Sequence, residues 1–213
     1  MIIALNFKAF KETIGKNCIK TIKEVKSIAK ENVIFIINPA DISLTSYFFK
    51  KRKFKIFTSL SFAIESYGQF TGKIPIEFLK DLKIEGVLIN HSENRINFSE
   101  IKKFVEISKK YEIETMVCVK SIKEAKITDK LKPNYIAYED PKLIGTGIPI
   151  SKAKSSSVKK FAESIKSIPI CGAGITNKED VIAAKELGCK GVLIASAFAK
   201  SKNKKQFLKE IMV

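Results

Sequence analysis

"VIFIINP", residues 33 to 39, is a run of five apolar residues closed by Asn38 and Pro39. An amphipathic helix would interrupt such a run with polar residues every third or fourth position, and a half-exposed strand would alternate. Uninterrupted Val, Ile and Phe over so short a stretch point to a strand covered on both faces, the condition of a parallel sheet flanked by helices. The signature recurs at "IIALNF" (2 to 7), "FKIFTS" (54 to 59), "GVLIN" (86 to 90), "ETMVCV" (114 to 119), "YIAYE" (135 to 139), "IPICGAG" (168 to 174) and "GVLIAS" (191 to 196), eight runs in all. Between them lie segments of helical periodicity such as "CIKTIKEVKSIAKE", "SEIKKFVEISKKY", "SVKKFAESIKS" and "KEDVIAAKELG", the last closed by Gly188. Residues 41 to 53 carry the weakest helical signal, and 60 to 74 read as loop.

Strict alternation of strand and helix implies parallel pairing, and eight units permit closure into a barrel. The 213 residues divided among eight units leave about 27 each, with no room for a linker or a second domain. The expectation is therefore an α/β protein, one (β/α)8 TIM-barrel domain over residues 1 to 213. An open doubly wound sheet is the competing arrangement, but no strand runs into a GxGxxG turn.

The bulk composition narrows the function classes. Hydrophobic residues make up 45% of the chain, enough for a sizeable core, yet no stretch approaches the roughly 18 apolar residues of a membrane span. The first residues, "MIIALNFKAFKE", lack a basic leader and a small-residue cleavage site, which reads as a cytoplasmic protein. Cys18, Cys118, Cys171 and Cys189 form no CxxC pair, so reduced core thiols are expected rather than a zinc ribbon or a redox motif. The net charge of +17 raises nucleic acid as a partner, but 37 of the 39 basic residues are lysines. Base-edge recognition favours the planar guanidinium, and lysines spread among Glu and apolar helix positions describe a solvated surface. The one dense cluster is "KKRK", residues 50 to 53.

In a barrel, function lies at the carboxyl ends of the strands. There the chain places Asn6 and Lys8, Asn38, then His91, Ser92 and Glu93, then Glu139, "GAG" at 172 to 174, and Ala195 with Ser196. Lys8, His91 and Glu139 offer a cation, an imidazole and a carboxylate. That set suits proton transfer beside a carbonyl, with a base, a donor that polarises the oxygen and a charge that favours an enolate. No metal is needed, and one histidine without clustered carboxylates is a poor metal site. "GAGI" and "IASA" are small residues that let backbone amides approach a phosphate. "DPKLIGTGIP", residues 140 to 149, combines flanking prolines with Gly145 and Gly147 and reads as a lid. Taken singly, each feature has an ordinary reading as surface charge, structural histidine or tight turn; five of them at the strand ends of one barrel do not.

"LNFK", "NHSEN", "YEDPKLIGTG", "CGAGI" and "LIAS", in this order and at these strand ends, resemble triosephosphate isomerase, in particular its short archaeal form. The resemblance covers the whole chain and is strongest from residue 85 onward. It implies that Glu139 is the base moving a proton between C1 and C2 of a triose phosphate, without cofactor or metal. It implies that His91 polarises the carbonyl as a neutral donor, a role consistent with a helix start downstream whose positive dipole end disfavours a second positive charge. Triosephosphate isomerase is itself the standard example of that effect. By the same resemblance Lys8 contacts substrate with Asn6 assisting, Glu93 pairs with Lys8, and Ser92 supports the site. Ile144, Gly145, Gly174, Ala195 and Ser196 fall where family loops bind the phosphate. "GQFTG", residues 68 to 72, resembles the loop that enters a neighbouring subunit, making Thr71 an interface residue and the protein a dimer or tetramer. Four copies of +17 would carry +68, a repulsion that salt must screen.

Two positions depart from the family pattern. Strand three ends "FTSLS" without the Gln that commonly follows, and the lid begins "DPK" rather than "PVW" or "PPE". The competing functions are another phosphate-binding barrel enzyme acting on a larger substrate, and a lysine-rich RNA-binding barrel.

Overall fold

The computed structural model describes residues 1 to 139 and 155 to 212. Eight strands, β1 Ile2–Asn6, β2 Val33–Ile37, β3 Lys55–Ser59, β4 Gly86–Ile89, β5 Glu114–Val119, β6 Tyr135–Tyr138, β7 Ile168–Cys171 and β8 Gly191–Ile194, each pair in parallel with their sequence neighbours. Strand β8 closes onto β1 through Ile2 opposite Gly191 to Leu5 opposite Ile194, completing the expected barrel. Around it run α1 Lys16–Val25, α2 Ile42–Phe48, α3 Ile76–Asp81, α4 Phe98–Lys110, α5 Ile122–Asp129, α6 Ser155–Glu163, α7 Lys178–Glu186, α8 Ser196–Ala199 and α9 Lys204–Ile211. Among the described residues no helix is long and apolar enough to cross a membrane.

Local sequence starts these helices. In α4, α5, α7 and α9 a Ser or Asn side chain at the cap accepts the N–H three residues on: Asn97 from Glu100, Ser121 from Glu124, Asn177 from Asp180 and Asn203 from Gln206. Each such cap contributes about 1 kcal/mol. The weak helical signal of residues 41 to 53 yields a helix only as far as Phe48, and residues 60 to 74 hold no helix or strand beyond a single bridge between Ile64 and Pro75.

Both faces of the strands are apolar because each meets a different part of the core. Ala4, Ile34, Ile36, Phe57, Leu88, Met116, Ala137, Ile170 and Leu193 fill the barrel, while alternate residues such as Leu5, Phe35, Val87, Val117 and Ile136 pack beneath the helices. Gly86 makes this possible on one side: a Cβ there would lie 2.4 Å from the Phe57 ring. Small beside large across the interior is what keeps the layers filled without overlap. The amino-terminal mouth is shut by Lys55, whose Nζ lies 2.6 and 2.8 Å from the two oxygens of Glu114, and by Tyr135, whose hydroxyl donates to Glu114 at 2.9 Å. All four cysteines are buried and none forms a disulfide.

Candidate active site

The site is assembled by backbone turns that leave the strands in unusual conformations. Lys8, two residues beyond β1, has φ of +48°, with its N–H held by Asn6 Oδ1 at 3.1 Å. Such a left-handed residue is rare outside glycine and asparagine. Its ammonium reaches Glu93, Nζ to Oε1 2.6 Å, across the mouth of the barrel.

Asn90, directly after β4, has φ of +58° and is buried. Its Nδ2 donates to the Cys118 carbonyl at 2.8 Å and to Glu124 Oε1 at 3.2 Å, and its Oδ1 accepts the Ile96 N–H at 3.1 Å. Arg95 donates to the same Cys118 carbonyl at 3.2 Å and lies 3.7 Å from Glu124. Residues 90 to 96 are thereby stitched to the end of β5, and His91 is presented on a fixed frame. The imidazole accepts the Glu93 N–H at Nδ1, 3.2 Å. A nitrogen that accepts carries no proton, so this contact places the ring proton on Nε2, the nitrogen facing Glu139. Helix α4 starts at Phe98 behind the Asn97 cap, and the amide that fixes the ring belongs to the turn at Glu93.

Glu139 follows β6 without an intervening residue, its N–H donating to the Val119 carbonyl at 2.9 Å. The residue is 3% exposed. Its Oε1 lies 3.2 Å from His91 Nε2, and its Oε2 accepts the Ser92 N–H at 3.4 Å. A carboxylate this buried is costly unless hydrogen-bonded, and these two donors meet the need. Beneath it, burial first and the Glu139 charge second push the Cys118 thiol well above its ordinary range, so sulfur stays protonated. Gly172, after β7, leaves the space Glu139 occupies: a Cβ there would stand 3.3 Å from both Glu139 Cγ and Leu193 Cβ. Gly174 turns with φ of +66°, and Ala195 leads into the short α8. The first amides of a helical turn have no acceptor within it.

These pieces surround one cavity of about 370 Å³, lined by Asn6, Lys8, His91, Glu93, Glu139, Gly174, Ala195 and Ser196 together. That volume is within the range of small-molecule sites. Ser92 is outside the lining and acts through its amide; its hydroxyl is buried without a partner among the described residues. Thr71 is exposed on the loop before α3, away from this cavity. Ile144 and Gly145, with the lid segment 140 to 149, lie outside the described residues. Phe10, Thr176 and Lys200 also line the cavity, and Asn90, Arg95 and Glu124 support it, none of them singled out by sequence. Lys200 is hidden among 37 lysines, and the other contacts join residues far apart in the chain.

The family model described as triosephosphate isomerase matches residues 1–212. A triosephosphate isomerase from Methanocaldococcus jannaschii is 36% identical over 100% of this chain and 99% of its own length. Those of Methanothermus fervidus and Sulfolobus acidocaldarius are 35% and 34% identical, over 99% of this chain and 97% and 93% of theirs. With a closed eight-stranded barrel, a cavity at the expected strand ends and full-length likeness to these relatives, the chain belongs to the triosephosphate isomerase family.

Proposed function

We propose that Glu139, His91 and Lys8 perform the isomerisation for which the family is named, the interconversion of dihydroxyacetone phosphate and D-glyceraldehyde 3-phosphate, a step of glycolysis and gluconeogenesis. The Glu139 carboxylate removes a proton from the carbon beside the carbonyl and returns it to the neighbouring carbon. His91 donates its Nε2 hydrogen to the carbonyl oxygen, and the Lys8 ammonium favours the enediolate as negative charge gathers on the oxygens. Substrate and product have the same atoms, so nothing else is consumed.

The observation that carries this reading is the 3.2 Å contact between His91 Nε2 and Glu139. Base and electrophile satisfy each other until a carbonyl takes the N–H, and the Glu139 carboxylate is then released to face the substrate carbon. Phosphate is held by the amides around Gly174, Ala195 and Ser196, with Gly145 and Ile144 completing the hold from the lid. A coupled assay of purified protein with glyceraldehyde 3-phosphate tests the reading. Absence of turnover in folded protein overturns it.

The exposed loop carrying Thr71 also bears exposed Phe62, Tyr67 and Phe70, a surface suited to burial against a second copy. We take the working form to be a homodimer or a tetramer, in which Thr71 braces the neighbour's site. Light scattering across ionic strength checks this, a monomer at every salt being the contrary result. Four buried, unbridged thiols fit a reducing cytoplasm.

A further inference from the structure

Among the described lysines only Lys8 and Lys200 line the active-site cavity, and the structure concentrates some of the remaining positive charge away from it. On the amino-terminal rim, between the end of α1 and the segment joining α2 to β3, lies a cavity of about 440 Å³. Lys26, Lys30, Lys51, Arg52 and Lys53 are among its lining residues, and no acidic residue is. The arginine of the "KKRK" run is already engaged. It donates to the carbonyls of Phe49 and Lys83 and pairs with Glu85 at 2.8 Å, fastening the loop to the barrel. The four lysines are exposed and make no ion pair among the described residues. Arg52 therefore builds the rim and the lysines are left for a partner.

Aromatic rings stand beside these charges. Tyr47 is 69% exposed and Phe48 45%, packed edge to face with centroids 5.4 Å apart. Lys23 Nζ lies 4.6 Å from the Phe48 centroid and Lys50 Nζ 5.5 Å from that of Tyr47. Bare rings on a surface would suit hydrocarbon. Rings with an ammonium over one face suit a ligand that alternates a planar group with a negative charge. Lysine, a point charge on a flexible stem, contacts phosphate without reading base edges. We propose that this rim binds single-stranded nucleic acid without sequence preference, bases stacking on Tyr47 and Phe48 and phosphates meeting Lys26, Lys30, Lys51 and Lys53.

The test uses the full chain and a fluorescent oligouridylate, followed by anisotropy across potassium chloride concentration. Four phosphate contacts predict a slope of log affinity on log salt near −3, at about 0.7 per contact on a single strand. Changing the four lysines to Gln should abolish most of that slope. Tyr47→Ala with Phe48→Ala should weaken binding at least ~5-fold at every salt concentration, the lower bound of one stacked base. The control changes Lys126, Lys130, Lys132 and Lys166 to Gln, the same charge removed from around a second cavity across the ring that holds Asp129 and no aromatic residue. Equal weakening by the control, or indifference to loss of both rings, would show charge acting at large and overturn the proposal. So would binding of wild-type protein to phosphatidylglycerol vesicles but not to the oligonucleotide. Isomerase turnover is expected to be unchanged in all three variants and reports that they are folded.

Discussion

Replacing Gly172 by Ala adds one methyl group at the point where Glu139, the proposed base, is seated. The new Cβ would stand 3.3 Å from Glu139 Cγ and 3.3 Å from Leu193 Cβ, against the roughly 3.5 to 4.0 Å of an ordinary carbon contact. Leu193 cannot yield easily, because its Cβ is set by β8, which pairs with Ala4 of β1. Glu139 is the freer neighbour, being attached to the cavity side by only its contacts with His91 and the Ser92 amide. A displacement of about 0.3 to 0.5 Å is needed, and with about 100-fold lost per ångström of misplacement the rate should fall roughly 4- to 10-fold. That is about 0.8 to 1.4 kcal/mol in the barrier. The change should appear in kcat, with KM altered less than about 2-fold, since the methyl group touches the base rather than the phosphate loops. The coupled assay, run beside a thermal melt to establish folding, measures it. Wild-type kcat in a normally folded Gly172→Ala protein would show that this glycine does not set the position of Glu139.

Shortening the base in Glu139→Asp draws the carboxylate back by more than 1 Å from His91, so turnover should drop at least ~100-fold; undiminished kcat would remove Glu139 from the reaction. Asn90→Gly keeps the left-handed backbone but deletes three hydrogen bonds, and should lower both the melting temperature and kcat by loosening His91; activity retained in full would mean that Arg95 and Glu124 suffice. Asp41 is buried, and burial raises its carboxyl above the ordinary range despite the Gly15 amide. A folded-state value above the unfolded one makes the ionised form a burden, so stability from this group is present at low pH and is lost as pH rises through the carboxylate range. The stability of Asp41→Asn relative to wild type should therefore improve from pH 4 to pH 7, and thermal melts showing the opposite trend would reverse the assignment.

The barrel was legible because a strand between two apolar layers leaves a mark that needs no partner information: a short run without polar interruption, eight times over. The residues proposed for catalysis stood out for a related reason, since a strand end turns polar at once, as in "YIAYE" and "LINH". What supports them did not. Asn90 and Arg95 lie in the loop after β4 and Glu124 on α5, and nothing local distinguishes their polar side chains from surface ones. The amide that holds the His91 ring was not legible either, because contact between the Glu93 N–H and Nδ1 depends on how the turn after β4 folds rather than on the helical pattern of α4. Lys55, Glu114 and Tyr135 read as strand-edge residues until closure of the ring brings them together.

The sequestered thiols give the molecule built-in reporters of its own opening. Cys118 and Cys171 are on barrel strands, Cys18 is on α1 beneath the helical layer, and Cys189 precedes β8. The Cys18 thiol, pushed up to about 12 by burial, is also chemically quiet while folded. A sulfhydryl reagent can modify each one only in conformations that expose it, so four separately resolved modification rates would record whether the outer shell peels before the staves part or both give way in one event.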